Sequence, residues 1–295
     1  MRIFVTGSSS HLAQALLPML CADNAVDTVF GMDLHASTFR HSKFSALQAD
    51  IRQVSPQSLL PQYDALIHLA WVVLRGKMPL QSMREINVGA SQHWLATAAE
   101  LSVSRIIHLS SASVYGQGEH LDENAPLSPI RHFNYAEHKA ELERWLIQHY
   151  PNIIRLRPHI ILGKHAQPLL HRILNLPIYP KLPEPQPQLQ CVHEDDVARA
   201  IIQTLKMPAQ GPYNLAAPDY FNLRTAIMQN RPHATGIPPT LVKAGLKLLW
   251  STTGFGGEPG WFDGVSHSLT LDCSKAEREL EWQAQMSAAQ MLGAR

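Results

Sequence analysis

Cysteine is scarce: Cys21, Cys191 and Cys273 are the only three in 295 residues, widely separated and without a Cys-x-x-Cys pair. An odd, scattered set of this kind fits a reduced compartment rather than a disulfide framework. Long hydrophobic runs are also missing. No apolar stretch approaches the roughly 20 residues needed to span a bilayer, and Met1–Val5 runs into glycine and serine too early for a signal peptide. An excess of one charge is missing too. Twenty-five Lys and Arg against 24 Asp and Glu leave a net charge of +1 and a pI near 7.9, which gives no field for nucleic acid or an anionic membrane. The 16 histidines show no ligand spacing with cysteines or carboxylates, so no metal is expected. The reading left open is a cytoplasmic protein whose partner is a small-molecule substrate.

What is present is a regular alternation of strand and helix. Apolar residues make up 45% of the chain, enough for one large α/β domain or a domain with a smaller companion. Arg2–Val5 reads as a strand, Thr6–Ala13 as a turn of small residues, and Gln14–Leu20 as a helix. In this order the helix N–H groups can hold a phosphate. Asp27–Asp33 is a second strand ending in a carboxylate, where a dinucleotide fold places an acid on the ribose hydroxyls. Asp64–Ala70, Arg105–Leu109 and Ile153–Pro158 are further buried strands, and Leu80–Leu101 is a helix. The pattern through residue 158 predicts a doubly wound parallel sheet.

Asn134-Tyr135-Ala136-Glu137-His138-Lys139 opens a segment of good helix formers that runs to about Gln148. Residues at i and i+4 share a helix face, about 5–6 Å apart between Cβ atoms, so Tyr135 and Lys139 project together. An ammonium beside a phenol favours the phenolate, and a phenolate can take a hydroxyl proton while hydride leaves the same carbon. Alone, Tyr-x-x-x-Lys describes many solvated helix faces and snorkelling lysines. Its weight comes from its neighbours.

Those neighbours resemble an extended short-chain dehydrogenase/reductase of the NAD-dependent epimerase/dehydratase family. The family's Thr-Gly-x-x-Gly-x-x-Gly turn is similar to Thr6 to Ala13, with Ser10 and Ala13 at the later glycine positions. Ala49-Asp50-Ile51-Arg52 resembles its Gly-Asp-Ile-Arg segment, and Asn87-Val88-Gly89-Ala90 its Asn-Val-x-Gly-Thr. Ser110 to Gly116 resembles Ser-Ser-x-x-Val-Tyr-Gly, Arg155-Leu156-Arg157-Pro158 ends like its Leu-Arg-Pro, and Val192 to Ala200 is similar to its Val-His-Val-Asp-Asp-Val-Ala-Arg-Ala. The resemblance implies a Rossmann-type doubly wound sheet and a Ser111, Tyr135, Lys139 catalytic set. It places the cofactor on Gly7, Ser10, His11, Leu12, Asp33, Asp50, Ile51, Leu69, Ala70 and Asn87, with Tyr135 and Lys139 also touching it. Substrate falls to Ser113, Arg157 and His159. Asp33 directs the choice to NAD rather than NADP, although Arg40 lies close enough to compensate a phosphate.

By the same resemblance, residues 1–158 form the NAD(P)-binding domain, with 189–216 returning to it. Segments 159–188 and 217–295 build the substrate portion. The proline-rich stretch Leu176–Gln188 reads as a loop or lid edge. Thr240–Trp250 reads as an amphipathic helix and Thr253–Gly260 as a loop. A homodimer is implied through the helix ending near Leu101 and the one carrying Tyr135, with Trp94 and Trp145 as candidate anchors. Where sugar-nucleotide epimerases of the family carry an arginine four residues before the Val-His histidine, this chain has Leu189, and His159 replaces an asparagine after the Arg-Pro strand. The expected activity is oxidation or reduction at a carbinol or carbonyl carbon, with a sugar nucleotide as leading substrate. Alternatives are a carbonyl reductase on a non-nucleotide compound and a non-catalytic dinucleotide-binding sensor.

Overall fold

Short, almost continuously apolar runs form the strands, as required where helices cover both faces of a parallel sheet. The computed structural model describes residues 1–254 and 257–293, so positions 255 and 256 of the predicted loop Thr253–Gly260 lie outside the described residues. In chain order the strands are β1 (Arg2–Thr6), β2 (Thr28–Asp33), β3 (Phe44–Gln48), β4 (Ala65–His68), β5 (Arg105–Leu109), β6 (Gly118–Leu121), β7 (Ile154–Pro158), β8 (Ile160–Leu162), β9 (Ile178–Pro180), β10 (Cys191–His193), β11 (Pro212–Leu215), β12 (Thr235–Ile237) and β13 (Leu269–Leu271).

Seven of these make one parallel sheet in the order β11-β7-β5-β4-β1-β2-β3. This is a Rossmann-type α/β sheet. Its order reverses beside β1, and ligands bind outside the carboxyl ends of strands at such a switch point. The carboxyl ends of β1, β2, β4 and β5 therefore define where a site can be. One expectation changes here: Cys191–His193 does not enter the main sheet but pairs with β8, just past the turn at His159. Only β11 adds to the main sheet's edge. The proline-rich stretch is mostly irregular, yet Ile178–Pro180 pairs with β12, and β6 pairs with β13.

The helices bury one face each. Leu16, Leu17 and Leu20 of His11–Ala22 pack with Val197 and Ile201 of Glu194–Lys206 on one side of the sheet. On the other side Trp94, Leu95, Leu142 and Leu146 fill the space under Ser91–Glu100 and Asn134–His149. Trp94 is fully buried, stacks on Phe4 at 5.4 Å and donates its Nε1–H to Ile51 O at 3.0 Å. It is a core residue and not an interface anchor. The stretch from Leu80 to Glu100 is one helical rod with a wide π-type turn at Glu85–Ala90.

The turn after β1 requires its glycine. Gly7 has φ +72°, and a Cβ there would lie 2.5 Å from Ala70 N and 2.7 Å from Leu69 C. Both the left-handed backbone and the close approach of β4 oppose a side chain. Gly7→Ala is expected to destabilise by about 1–3 kcal/mol, measurable as a lowered urea midpoint at unchanged slope. An unchanged midpoint would contradict this account of the turn.

Candidate active site

Tyr135 lies in the first turn of Asn134–His149, and one turn later Lys139 points the same way, toward the end of β5. The Lys139 ammonium donates to Leu109 O, the last residue of that strand. The chain then turns through Ser110 and Ser111 into a short helical turn at Ala112–Tyr115. The Ser111 hydroxyl accepts from Ser113 N at 3.2 Å and from Ser113 Oγ at 2.9 Å, and it lies near enough to influence the Tyr135 phenol. The structure thus brings Ser111, Ser113, Tyr135 and Lys139 together from three separate stretches of sequence.

The electrostatics differ from the sequence expectation. Burial pushes the Tyr135 phenol up to about 12, with the Ser111 hydrogen bond pulling the other way. Burial also drives Lys139 well below the usual amine range, while Glu143 opposes the shift. Lys139 Nζ stands 6.0 Å from the phenol centroid and 3.5 Å over the Trp71 indole. Behind Trp71 lie two buried histidines. His108 has its ring 5.8 Å from Trp71 and, among the described residues, no partner on either nitrogen, and His68 bonds Thr6 Oγ1 at 2.9 Å and Ser91 Oγ at 2.8 Å. Loss of solvation keeps both rings neutral, His68 with a pKa near 3.

Around Tyr135 the walls are aromatic. Trp71 meets its ring edge-on at 6.4 Å, Phe133 lies at 5.8 Å and Trp261 at 5.1 Å. Trp261 arrives from the C-terminal part of the chain, and Glu258 fixes its position. That carboxylate pairs with Arg75 and accepts from Asn134 Nδ2 at 3.0 Å on both oxygens. Arg75 also stacks on Trp250 at 4.6 Å, and Lys77 Nζ donates to Thr252 O at 2.8 Å. The sequence reading missed Trp261, Glu258, Phe133 and Arg75. A signal existed in the spacing of Gly260 and Gly264, where a Cβ would collide with His132 O and the Phe133 ring, respectively.

The residues assigned to a cofactor line the ends of β1, β2 and β4. Ser10 caps His11–Ala22 by accepting from Ala13 N at 3.4 Å, with His11 opening the helix and Leu12 buried. Asp33 accepts from Ser9 N and His35 N, both at 2.9 Å. The buried Ser8 hydroxyl has no partner among the described residues. A glycine turn pressed on β4, an orphaned hydroxyl beside it and a carboxylate at the end of β2 fit the adenosine and phosphate end of a dinucleotide. Asp50 is paired with Arg52, which holds its carboxyl below the usual range, and the Ile51 carbonyl takes the Trp94 bond. Leu69 is buried and Ala70 N lies 3.4 Å from Thr6 Oγ1. Asn87 is buried and clamps the loop after β4, accepting from Val72 N at 2.7 Å and donating to Val72 O at 3.0 Å.

Arg157 and His159 do not join the cluster. Arg157 is 1% exposed and bonds Glu143 Oε1 at 2.9 Å, Tyr115 OH at 2.6 Å and Glu123 O at 3.2 Å. His159 is buried between Leu269 O and Ile160 N, and loss of solvation lowers it to about 4. Their polar atoms are bonded inside the fold. Leu189 is likewise buried, bridged to Phe221.

The chain belongs to the NAD dependent epimerase/dehydratase family, whose match runs over residues 3–216. That membership defines the class, an NAD-dependent enzyme of the epimerase/dehydratase type. An uncharacterised protein of Sinorhizobium fredii is 24% identical over 98% of this chain and 76% of its own length. The N-acetyl-alpha-D-glucosaminyl-diphospho-ditrans,octacis-undecaprenol 4-epimerase of Escherichia coli is 25% identical over 58% of this chain and 52% of its own length. Among solved structures, MoeE5 in complex with UDP-glucuronic acid and NAD superimposes with a TM-score of 0.77 at 16% identity, covering 100% of this chain and 97% of that one.

Proposed function

We propose that this protein oxidises or reduces a carbinol carbon of a sugar nucleotide through Ser111, Tyr135 and Lys139, with epimerisation or dehydration following while the keto form stays bound. The observation that carries the reading is Tyr135 and Lys139 on one face of their helix, with Lys139 bonded to Leu109 O at the end of β5, where Ser111 follows. Bound NAD supplies the acceptor or donor of hydride. Gly7, Ser10, His11 and Asp33 hold its adenosine end, and Lys139 its nicotinamide ribose. In oxidation the C–H bond of the carbinol breaks, its electron pair leaves as hydride, and the O–H proton goes to the Tyr135 phenolate. Ser111 donates to the reacting oxygen, and reduction runs these transfers backward. The structure of MoeE5 in complex with UDP-glucuronic acid supports the substrate class, while the E. coli relative is named for a sugar on a polyprenyl diphosphate, which shares the glycosyl diphosphate but not the nucleotide.

Calorimetric titration of UDP, dTDP and GDP into the NAD-loaded protein tests it. Micromolar binding of one nucleotide is expected; no binding of any, with turnover of an uncharged alcohol or aldehyde, would establish instead a carbonyl reductase on a non-nucleotide substrate. One observation favours that second reading: Leu189 is buried where diphosphate recognition by an arginine fork is expected. For the cofactor, Asp33 accepts bonds and repels a 2′-phosphate, so tryptophan fluorescence should show tighter binding of NAD than of NADP. Tighter NADP binding would shift the assignment to Arg40. We also place a homodimer contact on the helices ending at Glu100 and His149, where Ile147 and Leu101 are exposed and Trp145 is half-buried. Sedimentation at micromolar concentration should give a dimer, and a monomer would remove the contact.

A further inference from the structure

The reading of Tyr135 as the acid–base group leaves the other side of the site unassigned, and Trp261 forms it. We propose that Trp261 is a specificity-determining wall that packs against the C–H face of a ring bearing the reacting carbon; this rests on the function proposed above. The indole lies 5.1 Å from the phenol ring at 33° and 4.8 Å from Phe133, edge to face. The substrate carbon that exchanges hydride must come within reach of the phenol hydroxyl, so its neighbouring atoms meet the indole. An apolar, polarisable face of this kind packs against saturated or aromatic ring faces and gives a small acyclic alcohol little to contact.

The wall is set before any ligand arrives. Trp261 N donates to Glu258 O at 3.0 Å, and the Glu258 side chain, 8% exposed, is bound at once to Arg75 on the loop after β4 and to Asn134, the residue preceding Tyr135. Gly260 and Gly264 let this segment lie directly on His132 and Phe133. One carboxylate therefore fixes the indole relative to the phenol, and preorganisation of this kind converts contact into affinity with little ordering cost. Two sources present the required face: the pyranose of a glycosyl diphosphate and the ring of an uncharged cyclic alcohol.

The test compares wild type, Trp261→Ala and Trp261→Phe, all NAD-loaded, on UDP-glucose, cyclohexanol and isopropanol. Product chromatography follows the first and NADH formation the alcohols. For whichever ring compound turns over, Trp261→Ala should raise KM about tenfold or more with a smaller change in kcat, Trp261→Phe should recover most of it, and isopropanol should change less than about twofold. Turnover of UDP-glucose or of cyclohexanol identifies the source of the ring. Equal effects on ring and acyclic compounds, or an unchanged ring KM, would overturn the wall. Absence of turnover with all three counts against the proposed function alone. Calorimetry of UDP-glucose and cyclohexanol then decides the wall: binding that weakens in Trp261→Ala supports it, and equal or absent binding overturns it.

Discussion

Tyr135→Phe should lower turnover by about 10²–10⁴-fold, the range for loss of a positioned acid or base, while NAD and substrate still bind. The phenyl ring keeps its place among Trp71, Phe133 and Trp261, so only the hydroxyl is lost. Burial holds the phenol protonated at neutral pH, with a pKa of about 12 against an ordinary 10.0. Alcohol oxidation, which needs the phenolate, should therefore speed up with rising pH, whereas ketone reduction, which needs the phenol, should not. The same shift has a stability sign. A phenol whose folded pKa is raised contributes stability that is complete below its unfolded value and is lost as pH climbs through the folded one. The decisive measurement is the pH–rate profile in both directions, alongside binding of NAD by the variant. A Phe variant with wild-type turnover would remove Tyr135 from the chemistry and favour a sensing role.

The second large effect is structural. Glu143 is fully buried and holds Arg157 through three hydrogen bonds, takes the Ser110 hydroxyl at 2.5 Å, and lies 3.4 Å from Arg155. Glu143→Ala strands two buried guanidinium groups without a counter-charge, which should cost about 3–5 kcal/mol. Arg155 is already pushed below its usual range by burial, and Glu143 is its main opposing influence. A Glu143→Leu, Arg157→Met double variant should recover only the Arg157 share of the loss, because apolar replacement of a buried pair is often near neutral while Arg155 stays without its carboxylate. Urea denaturation of the three proteins tests both statements. A single variant within about 0.5 kcal/mol of wild type would show that the network is not holding β7.

How much of this was legible depends on sequence distance. Tyr135 and Lys139 stand four apart on one helix, so helical periodicity alone places them together, and the turn at Gly7 follows from strand, small residues and helix. Ser111 was readable because a parallel strand delivers whatever follows it to the carboxyl edge. Trp261 and Glu258 were not, since each meets its partner more than 120 residues away, across a region where motifs thin out. Arg157 was misplaced for a related reason. A motif marks its position at the strand exit but does not say which face it takes, and here Glu143, Tyr115 and Glu123 O satisfy it internally. Trp94 shows the same limit: its helix can bury an indole inward as easily as in a dimer seam, and the contact with Phe4 decides. The upward push on the phenol in the protein without cofactor was not legible because desolvation is invisible in a linear pattern.

The wide turn at Glu85–Ala90 sets a rotational phase along its rod. Each residue added to or taken from a helix turns everything beyond it by about 100°, and a π-type turn carries one residue more than the α-helix needs. Along it Asn87 faces the Val72 loop and Ser91, four positions on, faces His68 under the sheet. Gly89, exposed with nothing near its absent Cβ, sits between them. Deleting it would restore regular α-helix and swing one of the two side chains off its partner. The rod would then hold either the loop beside the site or the neutral histidine behind it, but not both.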